Sequence, residues 1–199
     1  MIAIIDYGMG NLRSVQKALE YLGFDARITD KRQDLIDASH IILPGVGAFG
    51  DAIDSLNKSG IRETMLNEIA KGKPFLGICL GMQLLLDRSF ENGEYAGLSL
   101  VPGDVVPFNV NGLKVPHMGW NNLITRDSAL MDAGDSPYVY FVHSYHAAGV
   151  PEEYINAEAD YGYRFTAAVC RDNVFGLQFH PEKSGDAGLA MLRRFGGLS

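Results

Sequence analysis

What most restricts the fold of this chain is the spacing of its apolar runs in the first half. Ile2-Ala3-Ile4-Ile5, His40-Ile41-Ile42-Leu43 and Pro74 to Ile78 are short and almost unbroken, and Phe24 to Ile28 adds a fourth candidate strand. Between them the pattern changes period. Leu12, Val15, Leu19 and Leu22 recur at helical spacing with Gly23 as a stop, one or two helices run through Leu56 and Ile69, and Met82-Gln83-Leu84-Leu85-Leu86 opens another. A strand buried on both faces has no polar side, and parallel neighbours need a crossover helix between them. The alternation therefore predicts an α/β fold with an open, mainly parallel sheet and helices on both faces.

The second half reads differently. From Gly97 to about Gln178 helices are scarce, and shorter runs take over: Leu98 to Val101, Val105-Val106, Leu123-Ile124, Tyr138 to Val142, Ala167 to Cys170 and Val174 to Phe179. Arg171-Asp172-Asn173 suits a hairpin turn between the last two. Helical spacing returns over Gly185 to Leu198, with Leu189, Leu192 and Phe195 on one side. Without a repeat, linker or low-complexity stretch, residues 1–199 are expected to form one domain, the parallel sheet carrying an antiparallel β extension.

Charge and cysteine usage narrow the function classes. A net charge of −7 argues against a partner held by its phosphate backbone, so no nucleic acid is expected. Met1 to Asp6 lacks the basic start of a secretory signal, and no apolar run approaches the roughly 20 residues of a membrane span. The two cysteines, Cys79 and Cys170, make no disulfide framework; a reduced, cytoplasmic setting follows, in which one thiol is free to react.

Gly77-Ile78-Cys79-Leu80-Gly81 stands where the fourth strand becomes a helix, the thiol counterpart of a nucleophile elbow. The glycines suit so sharp a turn, and the helix N-terminus would favour a thiolate, whose ordinary pKa of about 8.5 is too high for neutral pH. A small buried structural cysteine is the competing reading. Near the C-terminus, His180-Pro181-Glu182 follows a strand; in extended chain the period of two puts imidazole and carboxylate on one side, a base with its orienter. A bare His-x-Glu is equally an ordinary surface pair. Pro44-Gly45-Val46-Gly47 follows the third strand and would lie beside Cys79, offering the Val46 or Gly47 amide, with that of Leu80, to an oxyanion. Alone it reads as a Pro-Gly turn. No Cys/His grouping has metal-ligand spacing, so no metal is expected. Gly8-Met9-Gly10 lacks the third glycine of a dinucleotide loop, since Arg13 stands there.

Taken together, Gly77 to Gln83 and His180-Pro181-Glu182 resemble the class I (triad) glutamine amidotransferases, which implies a flavodoxin-like α/β fold. Within that class, Tyr7-Gly8-Met9-Gly10-Asn11, Pro44 to Phe49, Pro116-His117-Met118-Gly119-Trp120-Asn121 and His180 to Ser184 are similar to the family of glutaminase subunits serving imidazole glycerol phosphate synthase. The likeness runs from residue 2 to about 195. It implies Cys79 as nucleophile, His180 as base and Glu182 as orienter, with Leu80, Val46 and Gly47 at the oxyanion. Gln83, Gly47, His143, Ser144 and Tyr145 would hold glutamine. It implies no cofactor, and a heterodimer with a (β/α)8-barrel cyclase subunit that receives the ammonia. Asn11, Trp120 and Lys183 would then face that partner, against the plain reading of Trp120 as core and Lys183 as a solvated charge. It further implies partner control, with the Val46 amide turned away at rest and Gly45 and Gly47 supplying unusual backbone angles for its rotation. A glutaminase of another synthase, or a freestanding cysteine hydrolase, would use the same chemistry without this cyclase.

Overall fold

In the computed structural model, which describes residues 1–198, the first-half runs become strands β1 (Ile2–Ile5), β2 (Ala26–Thr29), β3 (His40–Gly45) and β4 (Phe75–Cys79). Helices α1 (Leu12–Tyr21), α2 (Arg32–Asp37), α3 (Phe49–Lys58), α4 (Arg62–Ala70) and α5 (Leu80–Gln83) alternate with and follow them. Further along come β5 (Arg88–Ser89), β6 (Tyr95–Ala96), β7 (Asp104–Pro107), β8 (His117–Asn122), β9 (Ile124–Thr125), β10 (Tyr138–His143) and β11 (Tyr145–Ala148). The chain ends with β12 (Ile155–Asp160), β13 (Arg164–Arg171), β14 (Val174–Leu177) and α6 (Gly185–Gly196).

The parallel core has the order β2-β1-β3-β4-β14, and β13, β11 and β7 extend it antiparallel. β10 and β8 form a separate antiparallel pair. The unbroken apolar runs are explained by burial on both sides. Ile2 and Ile4 of β1 pack with Val15 and Leu19 of α1 and Leu192 of α6, while Ala3 and Ile5 pack on the other face with Leu56 of α3 and Met65 of α4. The turn at Arg171-Asp172-Asn173 joins β13 to β14 with Arg171 opposite Val174, and Asp172 takes the positive φ of 53° that such a tight hairpin demands. No helix among the described residues is long and apolar enough to cross a membrane.

Several elements differ from the sequence expectation. The helix after Cys79 stops at Gln83 instead of running through Leu86. The carbonyls of Leu84, Leu85 and Leu86 accept from Leu98, Leu100, Val101 and Ser99 instead. The same bonds explain why Leu98 to Val101 is a loop laid over that turn and not a strand. α2, β8, β11 and β12 were not anticipated. β8 carries the glycine and asparagines of His117-Met118-Gly119-Trp120-Asn121-Asn122, poor strand formers whose pairing with β10 settles their conformation.

Candidate active site

β4 ends in a residue whose backbone is forced. Cys79 has φ 56° and ψ −111°, a region that costs a non-glycine residue about 1–3 kcal/mol and survives only where the surroundings dictate it. They do so through α5, which folds back against β3 and β4. A Cβ on Gly77 would stand 2.5 Å from the Gly81 carbonyl oxygen, and one on Gly81 only 1.8 Å from that of Leu43. The two glycines are required for space. Since α5 has four residues, its aligned dipole is small, and the expected help from a helix macrodipole reduces to the individual N–H groups of its first turn. Leu80 carries the first of them.

The base is held by a turn and not by the extended strand expected. β14 ends at Leu177, and Pro181–Lys183 coil into a 3-10 turn, because proline at the first helical position favours it. The turn still brings the pair together: His180 Nδ1 lies 2.9 Å from Glu182 Oε1, with the two side chains 3% and 0% exposed. Nδ1–H donates to the carboxylate, which leaves Nε2, buried and without a partner among the described residues, as the proton acceptor. Ser184 fixes this turn to β10. Its Oγ donates to the His180 carbonyl and accepts from the Tyr140 N–H at 3.0 Å, and His180 N–H in turn donates to the Tyr140 carbonyl at 3.0 Å.

Burial alone would lower the His180 pKa; the neighbouring Cys79 and Glu182 outweigh it and raise it to about 9. The proton is thus bound more tightly in the folded chain than at the ordinary value of 6.5. Its stabilisation is complete below about 6.5 and is lost as pH rises through about 9. Denaturation midpoints recorded across that window should fall with pH, and Glu182→Gln should flatten the fall. A slope unchanged in Glu182→Gln would refute this assignment.

The loop after β3 meets the nucleophile. Gly45 pairs with Cys79 across the β3–β4 ladder, and the buried Tyr7 hydroxyl donates to the Pro44 carbonyl at 3.0 Å. Burial and then the neighbouring Cys79 charge push the Tyr7 hydroxyl pKa upward, so it remains a donor. Only Gly47, at φ 97°, needs a backbone angle closed to other residues. Gly45 does not; there a Cβ would lie 2.8 Å from the Tyr7 hydroxyl and 2.9 Å from both the Gly81 nitrogen and the Leu80 Cβ. The two glycines have different reasons.

Cys79, Leu80, His180, Val46, Gly47, Gln83 and the segment from His143 to Tyr145 all line one pocket of about 340 Å³, and Glu182 stands behind the His180 ring. Ser144 is not in a strand: it is the step between β10 of the small sheet and β11 of the large one. His143 is buried, which lowers its pKa to about 3, so it lines the pocket as a neutral ring.

Sequence reading missed two residues here. Glu91, from the loop after β5, lines the pocket while accepting from the Phe49 N–H at 2.7 Å, and nothing in its neighbourhood pointed to it. Gln178 is fully buried beside Cys79; its spacing of two from His180 was a usable signal.

The remaining three predicted positions are away from the pocket. Trp120 is 56% exposed, so it is not core; it stands directly across from Tyr140, ring centroids 6.1 Å apart, and the Lys183 ammonium lies 5.9 Å from the Tyr140 ring centre. Asn11 is the N-cap residue of α1, its Oδ1 accepting from Ser14 Oγ at 2.9 Å.

A strained thiol at the carboxyl end of a parallel sheet, sharing a pocket with a carboxylate-held imidazole, is the arrangement of an acyl-transfer site. The chain belongs to the class-I glutamine amidotransferase family, whose model matches residues 3–196. Two curated relatives carry the description imidazole glycerol phosphate synthase subunit HisH. One, from Caldanaerobacter subterraneus subsp. tengcongensis, is 52% identical and covers 98% of this chain and 97% of its own. The other, from Methanothermobacter thermautotrophicus, is 53% identical with the same coverage. A longer relative from Arabidopsis thaliana, the chloroplastic imidazole glycerol phosphate synthase hisHF, is 46% identical over 98% of this chain and 34% of its own. Among solved structures, one described as a glutamine amidotransferase superposes with a TM-score of 0.77 at 21% identity, covering 98% of this chain and all of the other. At that identity the likeness concerns the fold.

Proposed function

We propose that this chain, acting as one domain, is the glutaminase subunit of imidazole glycerol phosphate synthase in histidine biosynthesis. It hydrolyses glutamine to glutamate and ammonia and supplies the ammonia to a cyclase subunit in the cytoplasm. The observation that supports the chemistry is that Cys79 and His180 line one pocket while Glu182 is hydrogen-bonded to His180; relatives above 50% identity over nearly the full length support the synthase.

His180 Nε2 holds the proton taken from the thiol, and the sulfur of the Cys79 thiolate attacks the side-chain carbonyl of glutamine. The oxygen of the tetrahedral intermediate is met by the Leu80 amide and by the Val46 or Gly47 amide. His180 then returns its proton to the departing nitrogen, which leaves as ammonia, and a thioester remains. Water, deprotonated by His180, attacks that thioester and frees glutamate and the thiol. Glu182 holds the ring tautomer throughout. Gln83 and the backbone from His143 to Tyr145 grip the amino-acid end of glutamine, and Glu91 suits its ammonium group. The exposed Trp120, with Lys183 over Tyr140 and with Asn11, is proposed to meet the cyclase, a (β/α)8 barrel; aromatic and cationic side chains of this kind anchor interfaces.

Glutamate release measured with and without the cyclase and its nucleotide ligand tests the whole reading. Release should rise when both are present. A rate indifferent to them would favour a freestanding hydrolase. The proposed rotation of the Val46 amide is tested separately by Gly47→Ala, which is strained at φ 97°: the ratio of stimulated to basal release should change, and an unaltered ratio would dismiss the rotation. Gly45→Ala is a poorer probe, because it disturbs packing against Leu80 and Gly81.

A further inference from the structure

The sulfur of Cys79 has a neighbour that the triad chemistry does not use. Gln178 Nε2 lies 3.9 Å from Cys79 Sγ, and Gln178 Oε1 lies 3.1 Å from Gln83 Nε2. Which end of each amide points where is settled by an atom that can only accept. The Tyr145 carbonyl oxygen lies 3.0 Å from Gln83, so the Gln83 atom there must be the NH2 group. That same NH2 reaches Gln178, so the Gln178 atom facing it must be the carbonyl oxygen. Gln178 is left with its own NH2 turned toward the sulfur.

The second lone pair of the Tyr145 carbonyl orders the other wall. His143 Nδ1 reaches it at 2.9 Å and must be the protonated nitrogen. His143 Nε2 then accepts from His117 Nδ1 at 2.9 Å, and His117 Nε2 accepts from Asn121 Nδ2 at 3.3 Å. Burial lowers the His117 pKa to about 4, so both rings are neutral and every bond in the row has one direction. Gln83 and His143 therefore both donate to one carbonyl, and the orientation of the Gln178 amide is inherited through Gln83 from that frame.

We propose that Gln178 is a positioning residue of the glutaminase: its Nε2–H donates to the Cys79 sulfur and favours the thiolate, while its Oε1 holds the Gln83 amide. Both Gln83 N–H donors are thereby engaged by Tyr145 and Gln178, and the Gln83 carbonyl oxygen is the end left for the substrate. A donor to sulfur stabilises its charged form. No proton leaves Gln178; the thiol proton passes to His180 Nε2. This rests on Cys79 being the nucleophile.

The test pairs a variant with a measurement on the unaltered chain. In Gln178→Met, of similar length but without donor or acceptor, the pH midpoint for alkylation of Cys79 by iodoacetamide should rise by about one unit. At neutral pH, kcat in the cyclase complex should fall about tenfold, and KM for glutamine should rise as well. A role in packing alone would lower the melting temperature and leave the alkylation midpoint where it was. In the full unaltered chain, the side-chain amide protons of Gln178, followed by nitrogen–proton correlation spectra, should titrate with that midpoint and stop titrating once Cys79 is alkylated. A wild-type midpoint in Gln178→Met, or amide protons blind to the thiol, overturns the assignment; the spectra decide even if the variant does not fold. If alkylated wild-type complex still releases glutamate, it is the nucleophile reading that fails.

Discussion

Cys79→Ala should reduce glutamate release by the complex on the order of 10⁴-fold or more, while ammonia-driven synthesis by the cyclase persists. The size of the loss follows from what is removed: without the sulfur no thioester forms, and only binding and the oxyanion donors remain to help water. The fold should survive. Cys79 is 6% exposed and packs with Ile78, Leu177 and Phe179 in one continuous core, so deleting a single sulfur forfeits about 1 kcal/mol of burial and keeps the same forced backbone. Far-ultraviolet dichroism and the affinity for the cyclase should therefore match wild type. Glutamine-dependent synthesis at the wild-type rate in this variant would remove Cys79 from the chemistry altogether.

Gly81→Ala should be the most damaging single methyl in the molecule. Its Cβ would have to sit 1.8 Å from the Leu43 carbonyl oxygen and 2.9 Å from the Leu43 carbonyl carbon, backbone atoms of a buried central strand that no rotamer change can move. Relief requires α5 to lift from β3, which also moves the Leu80 amide and Cys79. A cost of about 4 kcal/mol or more is expected, lowering the melting temperature by about 8–16 °C in a chain of this size and abolishing glutaminase in whatever remains folded. Gly72→Ala is a useful contrast, since nothing lies within 4 Å of its Cβ and its positive φ of 92° is the only penalty. Were Gly81→Ala as stable as wild type, the steric account of the elbow would be wrong.

The parallel half was legible because its signal is local. Ile2 to Ile5, Ile41 to Leu43 and Phe75 to Ile78 declare burial on two faces by composition, and the helices between them declare one buried side. The later half was less so, since pairing decides it. Leu98 to Val101 has the look of a strand, yet the free carbonyls of Leu84 to Leu86 capture its N–H groups. His117 to Asn122 has the look of a loop, yet β10 makes it a strand. At the site, Cys79, Leu80, His180, Val46, Gly47, Gln83 and His143 to Tyr145 line one pocket while Asn11, Trp120 and Lys183 lie away from it, and two of the arguments made from the sequence do not hold. His180 and Glu182 meet through a 3-10 turn, not strand alternation, and Gly45 is small for want of space, not for its backbone angle. Glu91 was illegible because its carboxylate is held by the Phe49 N–H, far away in sequence.

The latch between Ser184 and Tyr140 has a mechanical consequence. The nucleophile ends β4 and the imidazole follows β14, the neighbour of β4 in the parallel sheet, while hydrogen bonds also tie the His180 turn to β10, a member of the small ladder whose other strand displays Trp120. Sulfur and ring are thus carried on adjacent strands of one sheet, and the ring has a second anchor in the other ladder. The ring therefore answers to the small ladder as well as to the large sheet, whereas the backbone of the nucleophile answers to the large sheet alone.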